Sequence, residues 1–236
     1  MPLTNSIFHI ISKGVIQMVQ LNYVERKALK DKKFQFTNII WTQNKLNAVK
    51  RVGCINKMLK DFYNDKKSIF DDLTADDFLE YYFSIISKKQ FMTVATDLYE
   101  HCKTAGMKIS KKECYLYCLI RVIDESWDGF KREIRAIKHL QGLYEGADIV
   151  FADPESDINY CIDLEVHYDD VLLDTFQVKP ITYISGLQTN KSYCWREYYR
   201  NKSCHDKWYQ EKGIKTVYLI EDKEGNFIQK NYDKLI

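Results

Sequence analysis

Residues that break regular structure are scarce in this chain, with 9 glycines and 3 prolines among 236 residues. That leaves no room for a long flexible linker or a low-complexity tract, and no repeat of solenoid period occurs. With 45% hydrophobic residues, a chain of this length has enough apolar surface for a core, so order is expected except at the ends. Excess charge of one sign is also missing. The 35 basic and 33 acidic residues leave +2, so the total implies no polyanionic partner and only the distribution over the surface can.

No stretch approaches the roughly 20 apolar residues that a membrane span requires. The segment IFHIIS at 7–12 is too short and too polar in its flanks for a secretory core. The expectation is a soluble cytoplasmic protein with no membrane partner. The seven cysteines (Cys54, Cys102, Cys114, Cys118, Cys161, Cys194 and Cys204) are odd in number and contain no CxxC pair, which favours reduced thiols over a zinc site or a disulfide framework. His101 beside Cys102, and Cys114 with Cys118, have no partner pair at zinc-finger spacing and are expected to be packing residues. HxxEH, a nucleophile elbow and a phosphate-cradling glycine loop are all absent.

What is present changes period along the chain. From about Thr42 to Tyr144, apolar residues recur every three or four positions, the pattern of amphipathic helices. Thr74 with Asp77, and Ser110 with Glu113, have capping-box spacing, and Gly106 is placed to end the helix between them. A further helix is expected from Asp128 through Leu140. Beyond it the period falls to two: INYCIDLEVHY (158–168) and VLLDTFQVKPI (171–181) flank the tight Asp169-Asp170 pair and read as a β-hairpin. A short strand at 148–152, an aromatic and basic helix over 189–212 closed by Gly213, and a strand at 215–222 complete the pattern. Gly225-Asn226 then leads to a last short strand. The fold class expected is α/β (α+β): a helical N-terminal subdomain, 1–127, on a mixed-sheet core, 128–236.

Strand alternation puts Asp163, Glu165 and His167 on one face of the first hairpin strand, and Gln177 and Lys179 on one face of the second. That face is expected to be wet and charged. An aspartate and a side-chain carbonyl are hard oxygen ligands suited to Mg²⁺, which needs only one or two protein groups together with substrate phosphate. A neighbouring lysine can act on the attacking water and on phosphate charge.

These residues, ID at 162–163 and QVKP at 177–180, fourteen positions apart from Asp163 to Gln177, resemble the PD-(D/E)XK nuclease superfamily. The resemblance is closest to its type II restriction endonucleases, including those that write the second half-motif as QxK. It covers about residues 128–222, where the order of helix, hairpin, helix and strand is similar to the family's αβββαβ core. Two departures stand out: Ile162 replaces the motif proline, and Gln177 replaces an acidic residue.

The resemblance implies a Mg²⁺-dependent DNA endonuclease, most simply a type II enzyme cutting a short specific double-stranded sequence. A structure-specific repair or resolvase nuclease of the same fold is the alternative within enzymes, and a non-catalytic DNA-binding module the one outside them. It implies Asp163, Gln177, Lys179 and Glu133 as catalytic residues, and Asp163, Gln177 and Val178 as metal ligands. Glu133 is the auxiliary carboxylate expected from the preceding helix, with Glu145, Asp148 and Glu165 as alternatives. Restriction enzymes that read palindromes commonly act as homodimers and accompany a DNA methyltransferase that is not a physical partner. Lys191, Arg196, Arg200 and Lys202, set among Tyr193, Trp195, Tyr198, Tyr199, Trp208 and Tyr209, are candidates for DNA phosphate contact. A second basic stretch comprises Lys45, Lys50, Arg51, Lys57 and Lys60.

Overall fold

A computed structural model describes residues 21–33, 55–231 and 235, and divides the chain into two compact units, 1–129 and 130–236. Several expectations lie outside the described residues: the segment at 7–12, the start of the helical pattern at 42–54, Cys54, and the basic residues Lys45, Lys50 and Arg51.

The first unit is helical. Its elements are α1 (Tyr23–Lys33), α2 (Ile55–Lys66), a 3₁₀ turn (Lys67–Asp72), α3 (Ala75–Ile85), α4 (Lys88–Thr104) and α5 (Lys111–Leu119). A π-helical turn (Ile120–Asp124) then leads into α6 (Glu125–Gln141), and the division between the units falls inside α6. Side-chain caps start the middle helices. The hydroxyls of Thr74, Ser87 and Ser110 each accept from a backbone N–H of the first turn, while Asp77, Gln90 and Glu113 reach back to the cap residue's own N–H. After α4, Gly106 takes φ +73° and Met107 N–H donates to Cys102 O at 2.9 Å, the left-handed ending that glycine permits without strain. The core is aromatic, with Phe78 stacked on Trp127 at 5.9 Å and Phe62 packed against both.

Within it lies a buried ion cluster. Arg26, 1% exposed, donates from Nε and Nη2 to Asp124, from Nη1 to Leu21 O at 2.7 Å, and also meets Asp76 at 2.8 Å.

The second unit is a five-stranded mixed sheet in the order β1 (Asp148–Phe151), β2 (Leu164–Tyr168), β3 (Val171–Pro180), β4 (Thr216–Glu221), β5 (Phe227–Lys230). Only β3 and β4 run parallel. Asp169 and Asp170 both have positive φ, the backbone of a two-residue hairpin loop, and a bulge at the Val166/His167 step shifts the β2–β3 register. Three helices join the strands: α7 (Pro154–Tyr160), α8 (Ile181–Gln188) and α9 (Ser192–Lys212). Helix, three strands, helix, strand and the last short strand follow in the expected order, with α7 and α8 added to it.

The differences from the sequence pattern are local and have physical causes. Residues 154–160 form a helix, because Asp153 accepts from Glu155 and Ser156 N–H and Pro154 occupies the first turn, where its missing N–H costs nothing. The first hairpin strand therefore begins at Leu164, and the exposed Ile158 owed its place in the alternation to coincidence. Pro180, with φ already fixed, opens α8, so the helix expected over 189–212 is preceded by a separate one.

Both faces of the sheet are covered. On one, the Phe130 ring of α6 stacks on Phe151 at 5.1 Å, and Arg132 and Arg135 bind Glu221 at 3.0 and 2.5 Å. On the other, Tyr183, Ile184 and Leu187 of α8 and Cys194 of α9 pack on Tyr218 and Ile220 of β4. The face expected to be wet is thus interior, as befits a central strand with a parallel neighbour. Among the described residues no helix is long and apolar enough to cross a membrane.

Candidate active site

β3 has polar side chains at alternate positions, Thr175, Gln177 and Lys179, and they share the face of Thr216, Tyr218 and Ile220 on β4. Asp163 joins them one residue before β2. Its backbone N–H donates to Phe176 O at 2.9 Å and its carbonyl accepts from Ala152 N–H at 3.0 Å, so it extends the ladder on both sides. Its carboxylate accepts from Val178 N–H at 2.7 Å, which ties the head of β2 to the middle of β3.

α9 lies over this face and supplies a polar stripe of its own: Glu197, Asn201 and His205, four residues apart. Lys179 Nζ donates to Glu197 Oε1 at 2.8 Å and sits 5.8 Å from the Tyr183 ring centroid. His205 Nε2 lies 3.3 Å from Cys161 O, and its ring packs edge-on to Tyr218. Some buried atoms find no partner. Gln177 is 3% exposed, yet its amide oxygen makes no hydrogen bond within the protein, and Asn201 is fully buried beside Tyr218. Such atoms are few in folded proteins and call for a reason, such as water, an ion or a ligand.

The electrostatics follow from burial and close charges. Burial pushes the Asp163 carboxyl up to about 6, against the pull of the Lys179 ammonium and the Val178 N–H, while Asp157 and Glu197 add to the rise. For Lys179, burial disfavours the ammonium but the carboxylates of Glu197 and Asp163 outweigh it, so its pKa is raised and it stays charged. Burial pushes His205 down to about 4, leaving a neutral imidazole.

The structure thus brings Asp163, Gln177 and Lys179 to one face. Val178 lies between the last two, its amide spent on Asp163. Glu133 is half-buried on α6, the helix that covers the opposite face, and Glu145 lies in the turn after α6. Glu165, 8% exposed, binds His167 Nε2 at 3.0 Å, and Asp148 opens β1. Lys191, Arg196, Arg200 and Lys202 are exposed on α9 or at its start; Arg200 also reaches Cys161 Sγ at 3.4 Å, and Lys202 pairs with Asp206 at 3.1 Å. Of the aromatics, Trp208 is buried on Tyr160 while Tyr193, Tyr199 and Tyr209 are exposed.

Glu197, Asn201 and His205 were not singled out in the sequence, where attention fell on the cations of α9. Their signal was the four-residue spacing of polar side chains on the stripe that also contains Cys194 and Trp208.

A family model described as MjaI restriction endonuclease matches residues 35–230. The chain belongs to that family. No curated protein and no solved structure matches it. Membership makes the chain a restriction endonuclease by family and so a nuclease acting on DNA, and restriction endonucleases typically use a divalent metal. The PD-(D/E)XK resemblance is consistent with it, and the matched span takes in the whole of the constellation on β2, β3 and α9.

The donor set fits a hard cation. Asp163 offers a carboxylate, and Gln177 a carbonyl oxygen that nothing else in the protein engages. Among the described residues no three His, Cys, Asp or Glu side chains converge as a cage. Mg²⁺ bound together with a phosphate substrate does not need one.

Proposed function

We propose that the chain is a type II restriction endonuclease that hydrolyses phosphodiester bonds within a short specific sequence of double-stranded DNA, with Mg²⁺ as its metal. One observation carries this reading: a half-buried carboxylate, a buried and unengaged amide oxygen and a charged lysine share one covered face of the sheet.

Asp163 and Gln177 would hold the metal, with Val178 beside them, whereas Glu133, the carboxylate expected from the preceding helix, lies on the helix that covers the opposite face and is set aside. The metal supplies polarisation of the phosphoryl oxygen and leaving group. Lys179 orients the attacking water by hydrogen bonding and opposes the charge that develops on phosphate. Val178 N–H fixes the Asp163 carboxylate, so its second oxygen points at a defined place. Lys191, Arg196, Arg200 and Lys202 take phosphates along α9, and the helical unit supplies dimer contacts, sequence readout or both. A homodimer matches a two-fold site. A companion methyltransferase protects the same sequence, and the protein acts in the cytoplasm.

Plasmid digestion with Mg²⁺ by the parent chain, Gln177→Glu and Gln177→Leu tests this. The parent should yield discrete fragments and Gln177→Glu should remain active. Gln177→Leu should lose at least about a hundredfold, since one electrostatic contact at a phosphoryl-transfer centre is worth roughly 3 kcal/mol. Cleavage confined to branched DNA would point to a repair or resolvase nuclease, and intact DNA to a binding module. Parental cutting by a folded Gln177→Leu removes Gln177 from the site.

A further inference from the structure

We infer that Glu197 is the positioning residue for Lys179: its carboxylate holds the ammonium away from Asp163 and supplies the negative charge that Gln177 lacks. The inference rests on the reading of Asp163, Gln177 and Lys179 as the hydrolytic site.

A lysine on this face has two carboxylates it can choose between. Its ion pair is with Glu197, at 2.8 Å, and not with Asp163. The choice matters chemically. An ammonium seated on Asp163 would occupy the oxygens that must face the metal, whereas one drawn to α9 leaves them open and still stands beside them. A four-carbon side chain has about 2 kcal/mol of rotamer entropy to lose, so an unheld Lys179 would sample several positions. Glu197 removes that freedom.

Glu197 is itself held in place. α9 meets α8 so closely that a Cβ on Gly186 would lie 2.2 Å from Cys194 Sγ, which fixes the start of α9 one turn before Glu197. One turn beyond Glu197, Asn201 is fully buried against the sheet. The pair does not have solvent on all sides, because the Lys179 side chain is 17% exposed and the Gln177 oxygen beside it is buried and unengaged. A polar interior built around a lysine and left incomplete is what a site awaiting a ligand requires. α9 covers the face that bears all three residues, whereas Glu133 belongs to the helix on the other.

The test uses the full chain with Glu197→Gln, Glu197→Asp and Lys179→Ala. Single-turnover cleavage is measured with Mg²⁺. Acetylation of Lys179 by acetic anhydride, without metal or DNA, is followed by mass spectrometry against the exposed lysines. Glu197→Gln should cut at least about thirtyfold more slowly, as expected when a charge at a preorganised centre is lost. Lys179, protected in the parent, should become acetylated several times faster, a change that simple destabilisation would spread over all lysines. Glu197→Asp keeps the charge with one methylene less and should be intermediate in both. Parental cleavage by Glu197→Gln alongside an inactive Lys179→Ala overturns the inference and spares the site. Slow cleavage with Lys179 still protected overturns it as well. Parental cleavage by Lys179→Ala overturns the reading of the site itself. Should Glu197→Gln not fold, parental values for Glu197→Asp in both measurements overturn the positioning role.

Discussion

Each unit of the chain buries a basic side chain among carboxylates, and the two clusters are finished differently. Around Arg26 the groups are matched: Nε and Nη2 on Asp124, Nη1 on Leu21 O and Asp76, and the other Asp76 oxygen on Tyr23 N–H at 2.9 Å. Around Lys179 they are not, since the Gln177 amide oxygen stays unengaged and Asp163 is pushed up to about 6 by its surroundings. Buried charge therefore does not separate scaffold from site, and what sets these two clusters apart is the polar capacity left over beside the charge. A network that holds the fold has reason to use all its donors and acceptors, because each idle one costs about 1–3 kcal/mol. A network that binds something else must keep some of them free.

The largest expected effect comes from deleting the cation of each cluster. Arg26→Met strands Asp124 in the core, and removing one partner of a buried pair costs about 3–5 kcal/mol. Lys179→Met should lose cleavage yet cost little stability, because its partner Glu197 is 37% exposed and can hydrate instead. Urea unfolding of both variants measures the difference. Equal losses would erase the distinction between closed and open clusters.

A second effect is set by pH. His205 is pushed down to about 4, first by burial and further by Lys179, against the hydrogen bond to the Cys161 carbonyl. A depressed folded-state pKa means that the unfolded chain takes up the proton first. The stability from a neutral His205 is complete above its ordinary value of about 6.5 and is lost as pH falls toward 4, by roughly 2 kcal/mol at pH 5. Asp163 acts with the opposite sign as pH falls below about 6, because its folded-state pKa is raised. The difference between the parent and His205→Gln, unfolded at pH 7.5 and pH 5, therefore isolates the histidine. A difference that does not change with pH would mean that His205 is no part of a dry polar stripe.

Sequence pattern revealed the outline because the outline depends on local rules. Ser110 and Glu113 cap α5 as their spacing predicts, Gly213 closes α9 at φ +72°, and the Asp169-Asp170 turn joins β2 to β3. The departures arise where a local signal was outweighed or ambiguous. Ile158 and Tyr160 continued a two-residue alternation into a stretch where Asp153-Pro154 had already started a helix. The polar residues of β3 suggested solvent, although an interior face can be polar if a helix brings a matching stripe. That pairing is long-range: Lys179 and Glu197 are 18 residues apart and meet only because α8 turns the chain back over β3. Asp163, Gln177 and Lys179 could be found from alternation within a hairpin, whereas Glu197 needed the helix placed on the sheet.

The smallest effect concerns how the helices begin, and it extends the contrast between closed and open groups. In the first unit Ser110 caps α5 with its side chain, so Ser110→Ala should cost about 1 kcal/mol. In the second, α9 begins at Lys191 with no side-chain cap, although the backbone there, φ −67° and ψ 114°, is extended as a cap residue requires. Lys191→Asn should therefore stabilise the chain by about 0.5–1 kcal/mol by supplying an acceptor to the first-turn N–H groups. If Lys191 is there to meet a DNA phosphate, the same change should weaken binding evenly across sequences and lower the salt dependence by about one counterion. Thermal melting and salt-dependent DNA binding of the one variant read both sides. Higher stability with weaker binding marks the start of α9 as kept uncapped for DNA, whereas higher stability with unchanged binding would make the uncapped turn incidental and remove Lys191 from the DNA contacts.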